Sequence, residues 1–225
     1  MTRADDPPAD EPIVAVILAG GLSRRMGGGD KCLRLLGGVP ILTRILDRLT
    51  PQCDAIVINA NGDPGRFAGF SRPVIEDVIA GHPGPLAGIL SGMVWARAHH
   101  PRATWLVSVA SDAPFFPTDL VDRLHAGARA AHLPLACAAS LGQSHPVFGL
   151  WQIGLEPDLR HAITADGVRK VDLWTAWHGC AVVDFAVDAV DPFFNANRPE
   201  DLAEAERLLA RVRQRPGMGP IVNGS

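Results

Sequence analysis

No stretch of this 225-residue sequence holds the roughly 18 consecutive apolar residues that a membrane-spanning helix requires. Residues 1 to 11, ending at Glu11, are polar and acidic instead of signal-like, so the chain is expected in the cytoplasm, away from any membrane. Long Lys/Arg runs are missing as well. The 21 basic residues face 24 acidic ones, a formal net charge of −3, which argues against a nucleic-acid backbone or an anionic lipid surface as the main partner. Any phosphate binding must therefore be local. The four cysteines (Cys32, Cys53, Cys137 and Cys180) are scattered, form no C-x-x-C pair and have no histidine at metal-ligand spacing. Reduced thiols are expected, not a zinc site or a disulfide. The adjacent His99 and His100 would point about 100° apart on a helix, so they cannot share a metal as an i, i+4 pair does. Also absent are an internal repeat and any visible Ser/His/Asp or Cys/His constellation for nucleophilic catalysis.

What is present suits one compact domain, with 47% hydrophobic and 20% charged residues. Residues 1–11 lack apolar periodicity and residues 214–225 carry Pro216, Gly217, Gly219 and Pro220; both are expected to be tails flanking a folded unit over 12–213. Ile13 to Leu18 is a continuous apolar run before a glycine-rich stretch, as in a strand covered on both faces. Pro40 then opens a helix with Ile41, Leu42, Ile45, Leu46 and Leu49 on one face. Further strands are expected at 55–59, 73–76, 105–110, 134–139, 146–151 and 181–185, and helices at 86–98, 118–131, 155–164, 169–177 and 199–213. This alternation predicts an α/β fold of three layers around a mostly parallel sheet. Ligands of such sheets bind beyond the carboxyl ends of the strands, and Gly20, Asn59, Asp77 and Asp112 all fall at such ends.

The strongest signal runs from Leu18 through Ala19, Gly20, Gly21, Leu22, Ser23, Arg24, Arg25, Met26, Gly27, Gly28, Gly29 and Asp30 to Lys31. Glycine lets the backbone approach a ligand with its N–H groups aimed at phosphate oxygens, and Arg24, Arg25 and Lys31 add positive charge. A plain flexible loop has no need of three cations in a protein of net negative charge. The stretch is neither a P-loop, since no G-K-[ST] closes it, nor G-x-G-x-x-G.

That run resembles the signature of molybdenum cofactor guanylyltransferases, members of the nucleotidyltransferase superfamily. Val74-Ile75-Glu76-Asp77 followed by Pro83-Gly84-Pro85-Leu86-Ala87-Gly88 resembles a second nucleotide-site block; Asp112-Ala113-Pro114 resembles a metal-binding Asp-x-Pro. Asn59-Ala60-Asn61 and Asn195-Ala196-Asn197-Arg198-Pro199-Glu200 match two further blocks. The likeness covers residues 13 to 210, with five blocks in order. It departs at Ala113, where Thr or Met is expected, and in both tails.

The resemblance implies a Rossmann-like nucleotidyltransferase fold, GTP as donor, molybdopterin as acceptor, Mg²⁺ or Mn²⁺ as cofactor, and proteins of molybdopterin loading and molybdoenzyme maturation as partners. It implies catalytic roles for Arg25, Lys31 and Asp112, and nucleotide contacts from Leu18, Ala19, Gly20, Gly21, Lys31, Asn59, Asp77 and Asp112. Asp112 also suits Mg²⁺ chemically, since that ion binds through one or two carboxylates plus substrate phosphates; a turn-capping role is the other reading. Asn59 offers an amide that can read a base edge or close a turn. Unaided, Asp77 reads equally as a turn residue. His145, Asn195 and Asn197 are candidates for the acceptor side, with loop and capping roles close behind.

A phosphate monoester acceptor, with a second pKa near 6, arrives largely as a dianion, so no catalytic base is required. The expected reaction is transfer of GMP to that phosphate with release of pyrophosphate. A cytidylyltransferase on the same scaffold, another small-molecule nucleotidyltransferase and a non-catalytic nucleotide-binding module are the alternatives. Guanylyl-transferring members read Leu-Ala-Gly-Gly where cytidylyl-transferring members usually read Leu-Ala-Ala-Gly, which makes Gly20 the residue that points to GTP.

Overall fold

The apolar runs become the strands of one sheet because their side chains meet helices on both faces. The computed structural model describes residues 11–20, 30–81, 84–188 and 190–213. It contains strands β1 (Ile13–Leu18), β2 (Leu35–Leu36), β3 (Val39–Pro40), β4 (Ala55–Asn59), β5 (Val74–Ile75), β6 (Trp105–Ala110), β7 (Leu135–Ser140), β8 (Gln143–Gln152) and β9 (Ala181–Asp184). The α-helices are α1 (Ile41–Leu49), α2 (Pro85–His99), α3 (Leu120–Ala131), α4 (Glu156–Thr164), α5 (Val171–His178) and α6 (Pro199–Arg213). Seven strands form the central sheet in the order β5-β4-β1-β6-β8-β7-β9. All run parallel except β8, which is antiparallel to both β6 and β7.

Alternation along β1 divides the core in two. Ile13, Ala15 and Ile17 face a layer that includes α1, α3 and α6. Val14 and Val16 face the layer of α2, α4 and α5, as the two-residue period of a strand dictates. Helix α2 presses close on β1 and β4 because Gly88 has no side chain: a Cβ there would lie 2.6 Å from Leu18 Cδ2 and closer still to Asn59 Oδ1. The sequence extends from β1 to β4 and β5 on one side, then crosses back to β6 on the other. The order thus reverses at the carboxyl ends of β1 and β6, where such sheets open a crevice.

The secondary structure differs from the sequence expectation in several places. Residues 35–40 form a short hairpin, β2 with β3, turned by Gly37 and Gly38 at φ 60° and 78°; two consecutive glycines are the signal for such a turn. Residues 64–70 form a 3₁₀ turn. Strand β8 begins at Gln143, not at Pro146, and its register with β7 shifts between Cys137 and Ala138. Gly149 pairs with Cys137 but His145 with Ala138, so residues 146–148 bulge from the ladder, where Pro146 has no N–H to lose.

Glu11, assigned by composition to a tail, is anchored: its Oε2 lies 2.9 Å from Trp105 Nε1 and 3.2 Å from His125 Nε2, and its Oε1 lies 3.3 Å from Arg129 Nη1. All four cysteines are free. Among the described residues no helix is long and apolar enough to cross a membrane.

Candidate functional site

At the crevice lies a cavity of about 610 Å³, within the range that holds small-molecule ligands. Leu18, Ala19, Gly20, Lys31, Asn59, Asp77 and Asp112 all line it, as do His145 and Asn195. The sheet register explains the gathering: Leu18 pairs with both Asn59 and Ala110, and Asn59 with Ile75, so the strands end at one level and their next residues share one edge. Gly21 and Arg25 lie outside the described residues, as does Arg24.

On the β4–β5 side the polar groups fix one another. Asn59, only 4% exposed, donates from Nδ2 to Asp77 Oδ1 at 3.0 Å, and Asn61 donates to Asp77 Oδ2 at 2.8 Å. The Asp77 backbone N–H returns a bond to Asn61 Oδ1 at 2.9 Å. A carboxylate oxygen has more than one acceptor site, so both Asp77 oxygens retain capacity for the hydroxyl or N–H donors of a nucleoside. Asn61 was legible only as part of a motif match; its structural task is to hold Asp77.

On the β1–β6 side, Lys31 opens a 3₁₀ turn over Lys31–Leu33, and its Nζ donates to Asn197 Oδ1 at 2.6 Å. An ammonium has three donors, so two remain for phosphate oxygens. Asn197 itself does not line the cavity; it reaches the site through Lys31. The segment carrying it is also pinned at Ala196, whose N–H bonds to Asp112 O at 2.8 Å, and at Asn197 and Arg198, whose N–H groups bond to Asp201 Oδ2.

Burial raises the pKa of the Asp112 carboxyl above its ordinary value, with the nearby Lys31 charge pulling the other way. An anion in that position gains from a cation beside it. Among the described residues no three His, Cys, Asp or Glu side chains group to hold a metal; Asp112 stands on the cavity wall as a lone carboxylate near the Lys31 charge. Ala113 is fully buried in the core beneath the cavity, so its departure from the expected residue leaves the lining untouched. Cys32 also lines the cavity, but burial, aided by the Asp30 charge, pushes its thiol up to about 12, so it is a neutral wall and not a nucleophile.

The third wall comes from β8. Its bulge turns Pro146, Val147 and Phe148 to the cavity beside His145. His145 Nε2 lies 2.7 Å from Ser140 Oγ, which in turn lies 3.0 Å from Asp191 Oδ1. A Ser/His/Asp cluster therefore exists here that the sequence did not reveal. It was hidden because the three residues are brought together by the β7–β8 hairpin and a late loop, with no motif spacing.

Known proteins share this architecture. The family model described as a MobA-like NTP transferase domain matches residues 15–178. A molybdenum cofactor guanylyltransferase of Rhodopseudomonas palustris (strain BisB5) is 55% identical over 206 residues, covering 91% of this chain and 98% of the relative. One of Nitrobacter hamburgensis is 54% identical over 199 residues, covering 88% of this chain and 95% of the relative. Among solved structures, molybdopterin-guanine dinucleotide biosynthesis protein A from Archaeoglobus fulgidus superposes with a TM-score of 0.67 at 23% identity, covering 88% of this chain and 99% of that one. A CMP:2-keto-3-deoxy-manno-octonic acid synthetase complexed with CTP gives 0.70 at 14% identity, covering 89% and 99%. At these identities the solved structures speak for the fold alone.

Proposed function

The chain belongs to the MobA-like NTP transferase family, and from that premise we propose that it transfers GMP from GTP to the phosphate of molybdopterin, releasing pyrophosphate and forming the guanine dinucleotide. The supporting observation is one cavity at the sheet's switch point, where Lys31 and Asp112 lie between the Asn59–Asp77 side and the His145–Asn195 side. Nucleotide and acceptor then meet over the lysine and the carboxylate.

In this reading Asn59, Asn61 and Asp77 form a preset polar frame for the nucleoside, and Gly20 leaves room for a two-ring base. Lys31, aimed by Asn197, binds phosphate oxygens and offsets the charge that grows on the departing pyrophosphate. Asp112, together with those oxygens, would hold a divalent cation, Mg²⁺ or in its place Mn²⁺, which supplies further positive charge to the triphosphate. The acceptor phosphate, largely a dianion at neutral pH, attacks without a protein base, so positioning carries the catalysis. Action in the cytoplasm and delivery of the product to molybdoenzyme-maturation proteins belong to the same proposal; fractionation of a tagged chain with membranes would contradict the first.

The test supplies purified protein with molybdopterin, Mg²⁺ and each nucleoside triphosphate in turn, and reads pyrophosphate and the mass of the dinucleotide. A guanine dinucleotide is expected. A cytosine product would reassign the donor, and GTP binding with no pyrophosphate would mark a binding module.

A further inference from the structure

The Ser140–His145–Asp191 cluster has its protons arranged in the wrong sense for a nucleophile. Ser140, 1% exposed at the end of β7, has a single hydroxyl proton. Were it given to His145, the hydroxyl lone pairs would face Asp191 Oδ1 at 3.0 Å with nothing between them. Asp191 Oδ1 also accepts the Phe193 N–H at 3.0 Å, which marks it as the anionic end of the chain. The serine proton therefore belongs to Asp191, and the 2.7 Å contact between Ser140 Oγ and His145 Nε2 requires the histidine to donate. A serine so committed cannot be activated by that histidine.

The ring is held further by Phe193, with centroids 4.6 Å apart and an interplanar angle of 31°; Phe193 is itself packed on Phe148 and Phe185. Burial lowers the His145 pKa below its ordinary value, with Asp191 acting in the opposite direction, so the ring is neutral at neutral pH. A neutral imidazole protonated at Nε2 carries a bare lone pair at Nδ1. Among the described residues nothing bonds to that nitrogen, and His145 lines the cavity.

We propose that Ser140 and Asp191 are positioning residues that lock His145 as the Nε2–H tautomer, so that Nδ1 accepts a hydrogen bond from a ring N–H or amino group of the acceptor substrate. The acceptor half rests on the proposed function, because the pterin heterocycle is what carries such donors. The recognition is directional: an acceptor lone pair favours a heterocycle with N–H groups and disfavours the phosphate end of the same molecule, which sets which way round the acceptor enters.

The experiment uses the full chain labelled with ¹⁵N-histidine, without ligands, and reads the His145 tautomer at neutral pH from ring nitrogen shifts and ring-proton couplings. Its signals are identified as those lost in His145→Gln. Wild type is expected to show a protonated Nε2 and a bare Nδ1; Ser140→Ala should show mixed tautomers, and Ser140→Thr, which keeps the hydroxyl, should return to one. In the transfer assay Ser140→Ala should raise the KM for molybdopterin roughly 5- to 10-fold, the scale of one hydrogen bond, with the KM for GTP unmoved. A protonated Nδ1 in wild type overturns the proposal, as does an equal rise in both KM values. If Ser140→Ala does not fold, the wild-type spectrum alone decides the tautomer. A wild type that makes no dinucleotide overturns the proposed function instead, and the spectrum distinguishes that failure from this one.

Discussion

Gly20→Ala tests base choice with little interference from folding. The glycine ends the exposed rim of β1, and a Cβ built there finds among the described residues only Asn59 Oδ1, at 4.0 Å, which is ordinary contact. Its φ is not left-handed, so alanine is unstrained, and a melting temperature close to wild type is expected. The new methyl instead faces the cavity that Gly20 lines. It would take space from a purine while leaving a one-ring pyrimidine room to fit. One misplaced methyl is worth roughly 1 to 3 kcal/mol, so kcat/KM for GTP relative to CTP should fall about 10- to 200-fold. Contacts from the Asn59–Asp77 frame stay in place, so a full reversal to CTP is not expected. The assay is steady-state kcat/KM with each nucleotide in both proteins. An unchanged ratio removes Gly20 from the account of specificity, and a wild type that prefers CTP overturns the guanylyl assignment.

Lys31→Ala and Asp112→Asn should each lower kcat on the order of 10²- to 10³-fold, and the Asp112 variant should need more Mg²⁺; near wild-type turnover at limiting Mg²⁺ would remove the role assigned. Because burial raises the folded-state pKa of Asp112 above the ordinary carboxyl value, the folded state binds that proton more tightly than the unfolded chain does, and stability is lost as pH rises through the raised pKa. Metal-free Asp112→Asn at pH 7 should therefore melt no lower than wild type, and a clear drop in Tm would contradict the desolvation argument. Gly88→Ala should cost about 1 to 3 kcal/mol in denaturant unfolding through overpacking against Leu18 and Asn59, and should weaken nucleotide binding as Asn59 shifts; an unchanged midpoint would show that α2 can retreat. Deleting residues 1–10 and 214–225 while keeping Glu11 should leave kcat unchanged, since these segments have few apolar residues to dock them; a large loss of kcat would show that they act.

The strand ends were legible because each follows an apolar run whose register is shared: Leu18, Asn59 and Ala110 align in the sheet, so Gly20, Asp77 and Asp112 could be placed at one edge from sequence alone. Local signals worked wherever a single segment carries the information. They failed where a residue's task is set by a partner far along the chain. The reversed direction of β8 cannot be read from its alternation, because a strand pattern has no sign, and the bulge at residues 146–148 appears only in the pairing with β7. The same holds for Ser140 with Asp191, separated by 51 residues. The Gly37–Gly38 turn was available as a signal, and two-residue strands are too short for periodicity to mark.

The family model ends at residue 178, yet the segment from Asn195 to Asn197 touches both residues to which the proposed function assigns the chemistry. Asn197 orients the Lys31 ammonium and Ala196 fastens the backbone of Asp112. Lys31 lies 166 residues from Asn197, and without that bond its flexible side chain would sample many rotamers, at a cost of up to about 2 kcal/mol to order. The lysine is thus arranged before the nucleotide arrives, which is what electrostatic catalysis by preorganisation requires. Asn195, in the same short segment, lines the side of the cavity assigned to the acceptor. An acceptor that displaces this segment therefore moves the lysine and the carboxylate loop with it. In the proposed reaction, acceptor binding and triphosphate binding would therefore be linked through three consecutive residues.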